Sequence, residues 1–250
     1  MPNTKLTKEK LSVHFHYNKM VYLLIIILAA AVGNLAYTTT IYTAPNARRV
    51  DIELIGPYVD MNIDPEVTDR LLAAGKDWER ERDAAQGIDT SAADYEPALQ
   101  ELEVLKLNYN AEDFTEDNYY ASQKFMVSMA AQEGDIFVLS RSLMTQLAEE
   151  NVLAPLDKYI ESGFLDPGDR QLGSVTFDEV DDDGVMTGEQ HIYALQADSL
   201  TGMISAMGYD PRDKYLVIMC YSKNQDTAAA VMREMMTMFE AEPSATEAAE

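Results

Sequence analysis

The densest chemistry in the chain is the run Asp178, Glu179, Asp181, Asp182 and Asp183, closed by Gly184. Carboxylates at alternate positions ahead of a glycine suit a calcium loop, because a hard cation takes oxygen ligands from a sharply turning chain. With Gly184 as the loop glycine, Glu179, Asp181 and Asp183 fall at ligand positions. Two things break the pattern. Gln190 stands where the closing bidentate glutamate belongs, and the flanking segments read as strands, not helices. The run is therefore expected to be a solvated hairpin turn, with no metal.

Other chemistries lack their residues. Ser140 and Ser199 have no flanking glycines of a nucleophile elbow. No GxGxxG follows the first strand, and no Walker lysine is present. Cys220 is the single cysteine, so it has no internal disulfide partner and no zinc set. It sits in the apolar run Tyr215–Tyr221, where a buried thiol is expected. His14, His16 and His191 pair with no nucleophile or ligand set. Neither an enzymatic activity nor a cofactor is expected.

The elements that would position a site read as strand, helix, strand, helix, strand, helix. Val50–Gly56 alternates apolar and polar residues, which signals a strand. Asp64-Pro65-Glu66 opens a helix that runs toward Gln86. A strand over Leu102–Tyr109 precedes a helix opened at Thr115, with Tyr119, Met126, Val127 and Ala130 as its apolar face. Asp135–Ser140 is a continuous apolar run, as in a strand buried on both sides. A short helix over Ser142–Glu150 and a turn into Lys158–Ser162 follow. Ser174–Val180 and Glu189–Leu195 flank the acidic run as a β-hairpin. A strand at Tyr215–Tyr221 leads into a helix over Asn224–Phe239, whose Ala228, Val231, Met232, Met235, Met236 and Phe239 form a core stripe. The order predicts an α/β fold, a mostly parallel open sheet with helices on both faces and a β-hairpin, preceded by one transmembrane helix.

In such a sheet, ligands collect at the carboxyl ends of strands. That rule marks Gly56-Pro57-Tyr58 after the first strand and Ser140-Arg141 after the third. Tyr193, Gln196 and Asp198 lie where the hairpin leaves the sheet. The candidate ligand-binding residues are Tyr58, Ser140, Tyr193, Gln196 and Asp198, an aromatic and polar set suited to a polar solute. The alternative is that Tyr193 packs and Asp198 caps a turn.

The net charge of −24 over 250 residues is unevenly placed. Residues 1–44 carry four lysines against Glu9, so the remainder holds about −27. A surface that acidic repels nucleic acid and anionic lipid. Residues 20–43 contain no charge, and Met20–Tyr42 as a helix reaches about 34 Å, enough for a hydrocarbon core of about 30 Å. Lysines ahead of it place the N-terminus in the cytoplasm and the rest outside. A cleaved signal peptide shares the basic start and apolar centre, but no small-x-small site follows. The expected organisation is a basic segment at 1–19, a membrane helix at 20–43, a linker at 44–49, an extracellular domain at 50–240 and an acidic tail at 241–250.

Four segments in order carry a resemblance. Tyr119–Ser140 holds a helix followed by Gly134-Asp135-Ile136 at a strand. Leu147–Tyr159 holds Pro155-Leu156-Asp157, and His191–Asp198 holds Ile192-Tyr193-Ala194. Tyr215–Phe239 holds Ser222-Lys223-Asn224 ahead of a helix. Together, over roughly residues 50–240, they resemble extracellular solute-binding proteins of bacterial ABC importers. The resemblance implies an α/β lobe, a small polar solute and a transporter permease or other membrane protein as partner. It also implies two lobes, yet only a short stretch separates Asp198 from Tyr215. Ala194 and Gln196 replace the family's glycine and proline, and the N-terminal lipid cysteine is absent. The expectation is a membrane-anchored, single-lobe domain that binds a solute or assists a transporter. The alternative is an interaction module that contacts a membrane partner and binds no small molecule.

Overall fold

Alternation along β1, Arg49–Ile55, decides the layering. Val50, Ile52 and Leu54 face one core, and Ile55 faces another, as the period of two requires. The computed structural model describes residues 21, 24–35, 44–57, 62–111, 113, 115–176 and 190–240. The chain divides into two units, 1–44 and 45–250.

In the larger unit, Asp64 caps α1, Pro65–Ala85, by accepting from Glu66 N at 3.0 Å. After β2, Glu101–Leu107, Thr115 caps α2, Glu116–Ala131. β3, Ile136–Ser140, runs directly into α3, Arg141–Glu149. A short α4, Asp157–Glu161, leads to β4, Leu172–Thr176, and β5, Gln190–Gln196. α5, Gly202–Met207, β6, Lys214–Ile218, and α6, Gln225–Phe239, complete the unit. One face packs β1, β3 and β6 against α1, α4, α5 and α6, with Leu71, Met207, Met232 and Phe239 inside. The other packs Phe137, Leu139 and Val217 against Phe125 of α2 and Leu143 and Leu147 of α3. The stripe expected on α6 is buried throughout.

The six strands run in the order β2-β1-β3-β6-β5-β4. β1 is parallel to β2 and β3, but β6 is antiparallel to β3 and β5, and β4 to β5. The sheet is therefore mixed, not mostly parallel. The cause lies in the connection from β5 to β6. Its helix α5 has six residues, a rise of about 9 Å. A five-residue strand is about 17 Å long, so α5 is too short to carry the chain back across the sheet. β6 returns from the end at which β5 finished, and Gln196 pairs with Tyr215. The expected hairpin pairing is present between β4 and β5; its acidic tip, including Asp178–Gly184, lies outside the described residues.

Three expectations change. The face of α2 holding Tyr119, Met126 and Val127 points outward, with Tyr119 60% and Val127 68% exposed. Asn118 and Phe125 are the buried residues of α2. They lie seven apart on one side, and a step of about 100° per residue turns Tyr119 and Val127 away from them. Cys220 is exposed, because β6 ends at Ile218 and the thiol follows in a turn near Asn151 O. The linker ends earlier than read, since Arg49 opens β1.

In the N-terminal unit, Val21 and residues 24–35 are helical, with Leu24, Ile26 and Leu28 exposed. Among the described residues no helix is long and apolar enough to cross a membrane. The rest of the 20–43 span lies outside them.

Candidate functional site

β1 and β3 are parallel neighbours that leave the sheet toward opposite faces, β1 toward α1 and β3 toward α3. Diverging connections open a crevice at the carboxyl ends of the two strands. A cleft of about 340 Å³ lies there, between Gly56 and Pro57 after β1 and Ser140, Arg141 and Ser142 after β3. Tyr109 and Asn110 after β2 form one wall, and Asp213 and Lys214 at the start of β6 form another.

The floor is fixed by Tyr209. Its buried hydroxyl lies 2.7 Å from Ile55 O and 3.2 Å from Val138 O, tying the last turns of β1 and β3 together. Gly56 has φ of 138°, and a Cβ there would lie 3.2 Å from Lys214 Cε. Only glycine suits that backbone while letting the lysine stem lie across it.

Ser140 caps α3, its Oγ accepting from Leu143 N at 3.5 Å and lying 3.1 Å from Ser142 Oγ. The first turn of a helix has amides without helical acceptors and the positive end of the dipole. Arg141 and Lys214 add two positive charges, against Asp213 alone in the lining. Hydroxyls, a helix start and two cations in one cleft favour an oxyanion.

Of the sequence candidates, the structure places Ser140 in the cleft. Gln196 and Asp198 hold its frame instead of lining it. Gln196 Nε2 donates to Asp198 Oδ2 at 2.8 Å, and Asp198 Oδ1 accepts from Asp213 N at 2.7 Å. That bond steadies Asp213 in a left-handed turn, φ 57°, just before Lys214. Tyr193 is buried on the α3 side, edge-on to His191 at 6.2 Å, so it packs. Tyr58 lies outside the described residues. Lys214, Ser142 and Asn110 were not expected from sequence. The direction of β6 is the missing signal: only an antiparallel strand begins at the end where β3 finishes.

A second polar group lies at the opposite end of β1. Asp51 is 4% and Glu53 6% exposed, both on the face that α2 covers. Asp51 Oδ2 accepts from Arg49, and its Oδ1 has no hydrogen-bond partner among the described residues. Asp135 accepts from Asp51 N at 2.9 Å and from the Ser222 hydroxyl. Burial pushes Asp51 up to about 6 despite Arg49. Burial, then the Asp51 charge, pushes Glu53 up to about 7. Among the described residues no group of three or more histidine, cysteine or acidic side chains is arranged to hold a metal.

Comparison with family models and with curated proteins finds no match for this chain.

Proposed function

We propose that residues 50–240 form a membrane-tethered module, displayed on the outer side of the cell, that binds a small polar solute through a negatively charged group. The observation that carries the reading is the convergence of Ser140, Ser142, Arg141 and Lys214 in one cleft at the carboxyl ends of β1 and β3. In a chain of net charge −24, the lining of this cleft carries two cations against one carboxylate. The uncharged stretch at 20–43 behind a basic start supports the tether. The resemblance to one lobe of a solute-binding protein supports a role beside a transporter permease. A single lobe leaves the solute partly in water, so binding is weak and reversible.

The test is an amide-shift titration with inorganic phosphate, then with carboxylated and neutral sugars. Phosphate is expected to move the amides of Gly56, 140–142 and 213–214, with affinity falling as salt rises. Lys214→Met is expected to weaken binding about tenfold, the equivalent of about 1.4 kcal/mol. Unchanged affinity in Lys214→Met, or a stronger response to neutral sugars, overturns the anionic assignment.

The outward Tyr119, Tyr120, Met126 and Val127 of α2 support a second reading, contact with a basic amphipathic helix of a membrane partner. Glu116, Asp117 and Glu133 at the ends of α2 supply the matching charge. A synthetic leucine/lysine helix is expected to shift α2 amides and leave the cleft unmoved. Shifts spread evenly over the acidic surface would sink that reading.

A further inference from the structure

We propose that α2 is a pH-responsive cover, seated on the sheet while the Glu53 carboxyl carries a proton and loosened when that proton leaves. The geometry begins with Glu53 itself. It is in register with Phe137 of β3 and makes no hydrogen bond among the described residues. Directly above it lies the turn that ends α2. A Cβ on Gly134 would come within 3.1 Å of Glu53 Cγ and 2.4 Å of the Phe137 ring. The stem of the side chain therefore lies tight under that turn, and its carboxyl, in a residue 6% exposed, has no donor among the described residues to receive its charge.

The groups around it do not supply one. Asp51 shares its strand face, Glu103 lies on β2, and Glu133 lies in the turn after α2. Tyr221, after β6, turns its hydroxyl to Glu133 O at 2.8 Å. Lys124 of α2 is the cation that acts on Glu53, and it is exposed. Asp135 and Arg49 are engaged with Asp51. Ionised, Glu53 would be a largely buried charge among acids, and the fuller hydration it then needs is gained by lifting α2. Burial that pushes Glu53 up to about 7 places this change near neutral pH.

Phe125 and Asn118 are the buried anchors of α2, with Ala121 and Met129 packed beside them. Phe125 packs on Phe137 and on Tyr109, with centroids at 6.3 and 5.4 Å. The Asn118 amide accepts from Asn110 N at 2.9 Å and donates to Asn110 O at 2.7 Å. Tyr109 and Asn110 form a wall of the cleft, so lifting α2 loosens that wall; this last step rests on the solute-binding reading above.

Hydrogen exchange of the full chain at pH 5.5 and pH 8, corrected for intrinsic rates, tests the cover. Protection of residues 116–131 is expected to fall about tenfold or more at pH 8 relative to α6. In Glu53→Gln it is expected to stay high at both values. Equal protection of wild-type α2 at the two pH values overturns the proposal, as does the same loss in Glu53→Gln. Should the variant not fold, the carboxyl carbon of Glu53 is titrated in the wild type. A midpoint near neutrality supports the proposal, and one in the ordinary carboxylate range overturns it. The readout needs no solute: a cleft that fails to bind phosphate leaves the α2 result standing, and an unresponsive α2 leaves the cleft reading standing.

Discussion

Glu53→Gln raises the melting temperature of the domain at pH 8, by about 3–6 °C for a gain of about 1–2 kcal/mol. The sign follows from linkage. An unfolded glutamate titrates near 4.5, and folded Glu53 near 7. Between those values the folded state holds more protons, so stability falls as pH rises and the full penalty is present above about pH 7. A shift of that size corresponds to about 3 kcal/mol, and the unpaired amide introduced by glutamine offsets part of the gain. At pH 4 the advantage disappears. Asp51, folded near 6, adds a penalty of the same sign in a lower window. Asp226 opposes both, because Tyr159 and Lys158 hold its carboxyl below the usual range; its contribution is lost only as pH falls below that of a free aspartate. Thermal melts of both proteins from pH 4 to 9 check the result. Parallel curves would show that Glu53 is not the group responsible.

The other buried glutamate of the domain has the opposite effect. Glu79→Ala is expected to cost about 3 kcal/mol or more and lower the melting temperature by roughly 6–12 °C. Glu79 lies in α1, 2% exposed, with both oxygens engaged. Oε2 accepts from Leu99 N at 2.7 Å and Oε1 from the Thr227 hydroxyl at 2.9 Å. One side chain thereby joins α1 to the chain entering β2 and to the first turn of α6. Truncation leaves a buried amide and a buried hydroxyl without acceptors. Thr227→Val, which removes one of the two bonds, should cost only about 1 kcal/mol. Denaturant melts that rank the two substitutions equally would contradict this account.

Element order was legible because each element announces itself locally. Asp64 and Thr115 are caps in the structure at the helix starts read from the sequence, while Ser140 caps a helix read as starting two residues later. Strand direction was not legible. Nothing in Tyr215–Tyr221 records that β6 runs against β3, since direction depends on the reach of α5. The wall formed by Asp213 and Lys214 was lost with it, because Lys214 enters only through that direction. Gln196 and Asp198 stand at and just past the end of β5 and hold the frame of the cleft, whereas Tyr193 stands at mid-strand and packs in the core. The alternation in β1 predicted a strand, and it could not say that α2 covers the polar side. Phe125, which seats α2 on that face, lies more than seventy residues away in sequence. The outward Tyr119 and Val127 follow from the same anchor.

The Tyr209 hydroxyl has a consequence for the order of assembly. Its acceptors lie 154 and 71 residues earlier in the chain. A chain emerging N-terminus first can pair β1, β2 and β3 before residue 209 exists, but the ends of β1 and β3 stay unbraced until it arrives. Lys214 follows five residues later. Contacts so distant in sequence are slow to close, so the cleft takes its shape last.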